Sequence, residues 1–188
     1  MSETVPLDLS VDRVRVFLDG EIVGSLTLSP AKTVAFSYES SWLSSGFSIS
    51  PLSLPLREGV FVAKRDPLHG LFGVFDDSMP DGWGRLLTDR LLRQRGIDPY
   101  SIGTLTRLSI VGSSGMGALE YEPAAVIENS VAATDLDDIA RECANLLETD
   151  FSEDLDQLFA LGGSSGGARP KILTEVDGEE WIIKFPSS

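Results

Sequence analysis

The chain has 188 residues, of which 42% are hydrophobic and 23% charged, as expected for a soluble globular protein of one or two domains. Its formal net charge of −14 argues against direct contact with nucleic acid, because a phosphate-binding surface needs a basic stripe. One cysteine excludes an intrachain disulfide, and together with one histidine it makes a structural zinc site unexpected.

The first ten residues carry neither a basic start nor an apolar run, and no later segment has the length and apolarity of a membrane span. We therefore expect a cytoplasmic protein with no membrane partner. Alternating apolar residues on both sides of Asp19-Gly20 predict an antiparallel hairpin, since this dipeptide suits a two-residue turn. Residues 33–38 and 59–65 predict further strands, with a short helical turn at 40–43. The first 65 residues should form a small, mostly antiparallel sheet.

The periodicity changes near Ser78, where apolar residues begin to fall at helical spacing. Asp77 or Ser78 can cap this predicted helix, Pro80 would lie in its first turn, and Gly96 follows its last arginine. We interpret its basic side chains first as a solvated face and second as a surface for a partner. These side chains are Arg85, Arg90, Arg93 and Arg95.

Several shorter elements follow. Asp98-Pro99 predicts a helix that runs toward Leu108, and residues 119–122 predict a strand. Residues 123–133 have the composition of a linker, Thr134 can cap an amphipathic helix, and Ser152 can cap a shorter one. Residues 128–160 hold ten acidic side chains against one arginine, which accounts for 9 of the 14 net negative charges. We interpret these carboxylates as a solvated helix face and predict no metal site.

A stretch of small residues, 162–168, comes next and is called the glycine loop below. Its glycines and serines allow backbone N–H groups to converge on a phosphate, although the same composition is typical of a flexible linker. Arg169 and Lys171 follow it. A similar cluster at 112–118 has no cation close behind it, so we interpret that one as a tight turn. The glycine loop matches neither G-x-x-x-x-G-K-[ST] nor G-x-G-x-x-G.

The loop leads into a predicted hairpin that carries Lys184. Asp177-Gly178 joins a strand at 172–176 to a strand at 180–185, and it is a strong hairpin signal. We expect the neighbours of Lys184 to be buried, namely Trp181, Ile182, Ile183 and Phe185. Because a buried ammonium is costly without a partner, Lys184 would either extend its ammonium to the edge of the sheet or bind an anion. In the second case Lys184 and the loop together predict half of a phosphate site.

These motifs resemble the HipA-like serine/threonine kinases, the toxin half of bacterial toxin–antitoxin pairs. The resemblance rests on the glycine loop followed by Arg169-Pro170-Lys171 and on Trp181-Ile182-Ile183-Lys184-Phe185-Pro186. Weaker similarities run through the earlier part of the chain. They comprise Val23-Gly24 with Leu26, Phe36-Ser37-Tyr38, Leu52-Ser53-Leu54-Pro55-Leu56, Met79-Pro80-Asp81-Gly82-Trp83, and Gly117-Ala118-Leu119 before Pro123.

The resemblance implies a fold and a division into domains. The implied fold class is α+β, with a small, mostly antiparallel amino-terminal sheet and helices, followed by part of a kinase-like small lobe. The implied domains are a HipA amino-terminal subdomain at 1–125 and, at 126–188, a helical connection with the start of the small lobe.

The resemblance also implies a site and a reaction. The loop would lie over the phosphates of ATP and Lys184 would hold the α and β phosphates; the implied loop residues are Ser164, Ser165, Gly166, Gly167 and Ala168. Family kinases require Mg²⁺ and transfer the γ phosphate to a protein serine, with aminoacyl-tRNA synthetases of the translation apparatus among the targets, and thereby inhibit growth and promote persistence. Autophosphorylation of a loop serine, here Ser164 or Ser165, silences the kinase. A HipB-like helix-turn-helix antitoxin neutralises them and makes the contact with DNA.

The residues that complete phosphoryl transfer in this family would come from a large lobe, so we expect no catalytic residues and no turnover in this chain. It would be either a fragment of a longer kinase or a natural short protein. Two alternatives stay open. One is a non-catalytic module that docks an antitoxin or a separate kinase through the amino-terminal sheet and the arginine-bearing helix; the other is an unrelated nucleotide-binding enzyme.

Overall fold

The computed structural model describes residues 10–68, 70–124, 135–149, 152 and 155–186. They form an α+β fold, which confirms the predicted class. The strands are β1 (Arg13–Leu18), β2 (Glu21–Leu28), β3 (Val34–Tyr38), β4 (Phe61–Val62), β5 (Leu119–Glu122), β6 (Lys171–Val176) and β7 (Glu179–Lys184). The helices are α1 (Ser40–Ser45), α2 (Gly73–Asp76), α3 (Gly82–Gln94), α4 (Thr104–Val111), α5 (Leu136–Thr149) and α6 (Leu155–Gly162).

The chain divides into two compact units. The first unit spans 1–79 and 102–127, and the second spans 80–101 and 128–188. The segment that contains α3 therefore belongs to the same unit as the carboxyl-terminal residues, although in the sequence it separates the two segments of the first unit. The domain division at residue 125 stays a prediction.

The first unit is built on a five-stranded antiparallel sheet with the order β4-β3-β2-β1-β5. Asp19 and Gly20 have φ angles of 51° and 77°, so they form the predicted turn between β1 and β2. Strand alternation buries Val14 and Val16 on one face. The register through β2 places Phe36 and Tyr38 of β3 on the same face, where they belong to the same core cluster and their rings lie edge-on at 4.9 Å between centroids.

Three elements, β4, α4 and α2, differ from the sequence prediction. The strand expected at 59–65 is only β4, because Phe61 and Val62 alone pair with β3. The helix expected from Asp98 begins at Thr104 instead. Asp98 caps a single turn through the Tyr100 amide at 3.0 Å, and the extended backbone at Gly103 then separates that turn from α4. Helix α2 was not predicted.

The second unit contains α3, α5 and α6 with the β6-β7 hairpin. Helix α3 packs on α6, and α6 packs on both α5 and β6. Helix α5 buries Ile139, Cys143 and Leu146 on the predicted apolar face. The predicted linker lies outside the described residues except for its first two positions, and the Thr134 cap lies wholly outside them. No helix among the described residues is long and apolar enough to cross a membrane.

The β6-β7 hairpin has the predicted turn, with φ angles of 55° at Asp177 and 80° at Gly178. The burial expected along β7 is wrong in part. Phe185 is buried, but Trp181 and Ile182 are 51% and 47% exposed. The reason is that, among the described residues, β7 pairs only with β6, so the outer part of this two-stranded sheet has little to pack against.

Candidate phosphate-binding site

The glycine loop packs against the first turn of α3. The Trp83 amide donates to the Gly167 carbonyl oxygen at 2.8 Å, and the Gly167 amide donates to Asp81 Oδ1. Asp81 is the N-cap residue of α3 by position, yet its carboxylate makes no capping bond to its own helix. The loop carbonyl takes over part of that role, since it accepts a first-turn amide of α3 that would otherwise need another partner.

The approach of loop and helix is too close for side chains. A Cβ on Gly84 would lie 2.1 Å from the Ser165 carbonyl oxygen, and one on Gly82 would lie 2.5 Å from the Gly167 carbonyl oxygen. Gly82 also has φ of 43°, a conformation that favours glycine. The predicted helix start at Asp77 or Ser78 is therefore wrong: the chain is extended at Asp81, whose carboxylate reaches the loop, and α3 begins only after it.

The loop turns two amide groups away from α3. Within one trans peptide the C=O and N–H groups point in opposite directions. The Ser165 carbonyl faces Gly84, and the Gly167 carbonyl accepts the Trp83 amide. The N–H groups of Gly166 and Ala168 therefore point away from α3, and neither has an acceptor among the residues that the structure describes. Two donors on the same side of a loop form a simple cradle for an anion.

The two loop serines differ in accessibility. Ser165 is 0% exposed, and its hydroxyl donates to the Gly162 carbonyl oxygen at 2.6 Å. Ser164 is only partly buried. The backbone amide of Ser165 also donates to the Gly162 carbonyl, at 3.0 Å. Ser165 is thus a structural residue of the docked loop, with both of its donors engaged.

Two lysines meet on one face of the hairpin beside the loop. Lys171 and Lys184 are directly opposite in the register of β6 and β7, so their side chains lie on the same face of the sheet. Lys171 is 6% exposed, and its ammonium donates to the carbonyl oxygens of Gly166 and Gly167, the latter at 3.3 Å. Lys184 is exposed. The sequence analysis expected buried neighbours around Lys184 and made no prediction about the burial of Lys171.

The electrostatics of Lys171 reflect this crowding. Burial lowers the pKa of its ammonium, the neighbouring charge of Lys184 lowers the pKa further, and the Asp81 carboxylate raises it. Two like charges directly opposite on adjacent strands repel each other. An anion bound between them would remove this repulsion, so the pair is suited chemically to a phosphate or another polyanion.

Sequence reasoning missed two contributors to this arrangement, Asp81 and Trp83. The indole N–H of Trp83 donates to the Lys171 carbonyl oxygen at 3.0 Å and so joins α3 to β6. A signal was available, because Gly84 follows directly and a glycine inside a helix costs about 1 kcal/mol relative to alanine unless packing requires it. Nothing in the sequence indicated which segment would pack there.

Other candidate features contribute less. The second glycine-serine cluster belongs to the first unit and begins with a four-residue turn, in which the Ser114 amide donates to the Val111 carbonyl oxygen at 3.0 Å; this agrees with a tight turn. Arg85 of α3 pairs with Asp89 at 3.7 Å, and Arg95, the C-cap residue of α3, pairs with Asp156 at 3.4 Å. In the described parts of the chain, no group of three or more His, Cys, Asp or Glu side chains could hold a metal ion.

Comparison with known proteins identifies the family. The family model described as the HipA N-terminal domain matches residues 14–122, more than half of the chain. The chain belongs to this HipA family. Asp81 lies inside the matched residues, whereas the glycine loop and Lys184 lie outside them.

This HipA-family chain is also similar to a solved structure. It is a complex of the Shewanella oneidensis MR-1 toxin–antitoxin system HipA, HipB and its operator DNA, with 18% sequence identity and a TM-score of 0.47. The match covers 90% of this chain and 37% of the other, so the chain spans well under two thirds of the length of that relative. No curated protein matches the chain.

Proposed function

We propose that the second unit of this HipA-family chain forms the phosphate-binding half of an ATP site in a protein serine kinase. The observation that carries the proposal is the cross-strand pair of Lys171 and Lys184, one of which touches the glycine loop. Membership of the HipA family supports a toxin–antitoxin context for the whole protein.

In this proposal each group has a separate task. The ammonium of Lys184, which is an exposed residue, binds the α and β phosphates. The amides of Gly166 and Ala168 donate to phosphate oxygens, while Lys171 holds the loop through its carbonyls. ATP supplies the transferable phosphoryl group when bound. The described residues fit its phosphates but provide no ligand set for Mg²⁺, so no step is assigned to the metal.

For the whole protein, the proposal includes transfer of the γ phosphate to a serine of a protein substrate in the translation apparatus, with inhibition of growth as the result. A HipB-like helix-turn-helix antitoxin would neutralise the kinase and provide the contact with DNA, in keeping with the −14 charge of this chain. The proposal also places the protein in the cytoplasm, because its proposed substrate belongs to the translation apparatus. These activities need residues beyond the phosphate-binding half.

Autophosphorylation of the loop is part of the proposal, with Ser164 favoured over Ser165. Ser164 is the more accessible of the two, whereas the hydroxyl of Ser165 is enclosed and donates within the loop. Phosphate on either serine adds close to two negative charges beside the proposed anion site and would repel the nucleotide. Mass spectrometry after incubation of the full-length kinase with ATP should locate one phosphate on Ser164.

The binding proposal is tested by titration of the chain with ATP, using wild type, Lys184→Ala and a control, Lys64→Ala. Lys64 is an exposed lysine of the first unit, so its replacement makes the same charge change away from the site. We expect Lys184→Ala to weaken ATP binding about tenfold or more, since a charged hydrogen bond to the phosphates is lost. Equal affinity in wild type and Lys184→Ala would contradict the proposal.

A further inference from the structure

We infer that Asp81 is a positioning residue of the glycine loop. Its carboxylate accepts a hydrogen bond from the loop, and the loop in turn accepts one from the first turn of α3. The inference rests on the proposed function for its biological meaning, because it concerns the same site. Its structural content, the fixed orientation of two loop peptides, is independent of any ligand.

The first peptide group with a fixed orientation joins Gly166 and Gly167. Its N–H donates to the Asp81 carboxylate, and its C=O accepts from the Lys171 ammonium. A negative charge thus binds the N–H group of this peptide, and a positive charge binds its C=O group. A peptide between two glycines meets little steric resistance to rotation, so these two charge-assisted bonds determine which way it faces.

The second peptide group with a fixed orientation joins Gly167 and Ala168. Its Gly167 carbonyl accepts the Trp83 amide at 2.8 Å, which directs the Ala168 N–H away from α3. The Asp81 carboxylate and the Trp83 amide come from the same helix start, so Gly167 both donates to α3 and accepts from it. If Asp81 capped its own helix in the usual way, its carboxylate would compete with Gly167 for the first-turn amides.

Lack of space strengthens the assignment. A Cβ on Gly166 would lie 2.9 Å from Asp81 Oδ1, so the loop backbone lies directly against the carboxylate. The charged group beside Asp81 is Lys171, whose ammonium is influenced by the Asp81 carboxylate. Asp81 therefore orients the loop donors while its own charge is balanced by the lysine that binds the same peptide.

The test is hydrogen exchange in ligand-free protein at the loop amides that donate hydrogen bonds, those of Gly163, Ser165 and Gly167, for wild type, Asp81→Ala and Asp81→Asn. Asparagine keeps an oxygen acceptor in the same place, whereas alanine removes it. Asp137→Ala is the matched control, because Asp137 is an exposed aspartate in the first turn of α5 in the same unit. Exchange in α5 and α6 reports whether the unit stays folded.

We expect loop exchange to accelerate roughly tenfold in Asp81→Ala, at most about threefold in Asp81→Asn, and not at all in Asp137→Ala. Unchanged loop exchange in Asp81→Ala would overturn the inference, as would equal acceleration in Asp81→Asn. ATP titration of the same variants separates the two proposals. Failure of ATP to bind wild type would remove the proposed function, whereas the exchange result would still decide the role of Asp81.

Discussion

The indole N–H of Trp83 donates to the main-chain carbonyl of Lys171 across 3.0 Å, and it thereby joins the start of α3 to the first residue of β6. Trp83 is 1% exposed. Because Lys171 holds the glycine loop with its side chain, this one bond links the helix, the hairpin and the loop. The candidate site is therefore supported by residues far apart in the sequence.

Replacement of Trp83 by Phe should destabilise the second unit. The Lys171 carbonyl would lose its buried donor, at a cost of about 1–3 kcal/mol. Chemical denaturation followed by circular dichroism measures the change. Trp181→Phe is the control, since Trp181 is 51% exposed, and its effect should stay within about 0.5 kcal/mol. Equal stability of Trp83→Phe and Trp181→Phe would show that the indole bond contributes nothing.

Replacement of Gly84 by Ala should displace the glycine loop. Alanine raises helix propensity by about 1 kcal/mol, but its Cβ would lie 2.1 Å from the Ser165 carbonyl oxygen. We expect faster amide exchange in the loop together with weaker ATP binding. Gly117→Ala is the control, because nothing lies within 4 Å of the added Cβ there. Loop exchange as slow as in wild type would mean that the loop does not pack on α3.

Tyr121 should make the first unit sensitive to alkaline pH. Burial raises the pKa of its phenol from the ordinary 10.0 to about 12, although its hydrogen bond to Ser78 acts in the opposite direction. Between these two values the folded state keeps a proton that the unfolded state has released, so the free energy of unfolding falls as pH rises. The loss from this group amounts to about 3 kcal/mol.

Tyr121→Phe provides the comparison for that prediction. The variant lacks the phenol, so its unfolding free energy should decline less steeply than that of wild type through this pH range. Denaturation curves at several alkaline pH values measure both slopes. Parallel curves would contradict the raised pKa.

Cys143 should resist thiol reagents until α5 opens. Burial raises the pKa of its thiol from 9.0 to about 12, and the adjacent charge of Glu142 adds to the effect. Few molecules then carry the reactive thiolate at neutral pH. Labelling of native protein should be much slower than in denaturant, and Leu146→Ala, which removes a buried neighbour on α5, should accelerate it. Equal labelling rates in native and denatured protein would exclude this protection.

The sequence was informative where structure is local. Both Asp-Gly turns, the strands beside them and the apolar face of α5 follow from short-range patterns that need no tertiary information. The loop and Lys184 were identified as candidates from composition and resemblance. The sequence did not reveal that Lys171, rather than Lys184, is the enclosed lysine, because that depends on which faces of β6 and β7 pack inward.

The contacts of Asp81 were equally inaccessible from sequence. An aspartate before a helix indicates an N-cap, and here tertiary packing replaces that local bond with one to Gly167. The observed start of α3 at Gly82 differs from the predicted one for the same reason.

The central claim is that the glycine loop and the lysine pair serve one anion. The most direct measurement is a nuclear magnetic resonance titration of the chain with tripolyphosphate, in which the amides of Gly166 and Ala168 and the ammonium groups of Lys171 and Lys184 are followed together. We predict that all four signals shift with one common dissociation constant and that Lys184→Ala weakens the response of the loop amides. Loop amides that shift while the lysines do not, or that respond equally in Lys184→Ala, would contradict the claim.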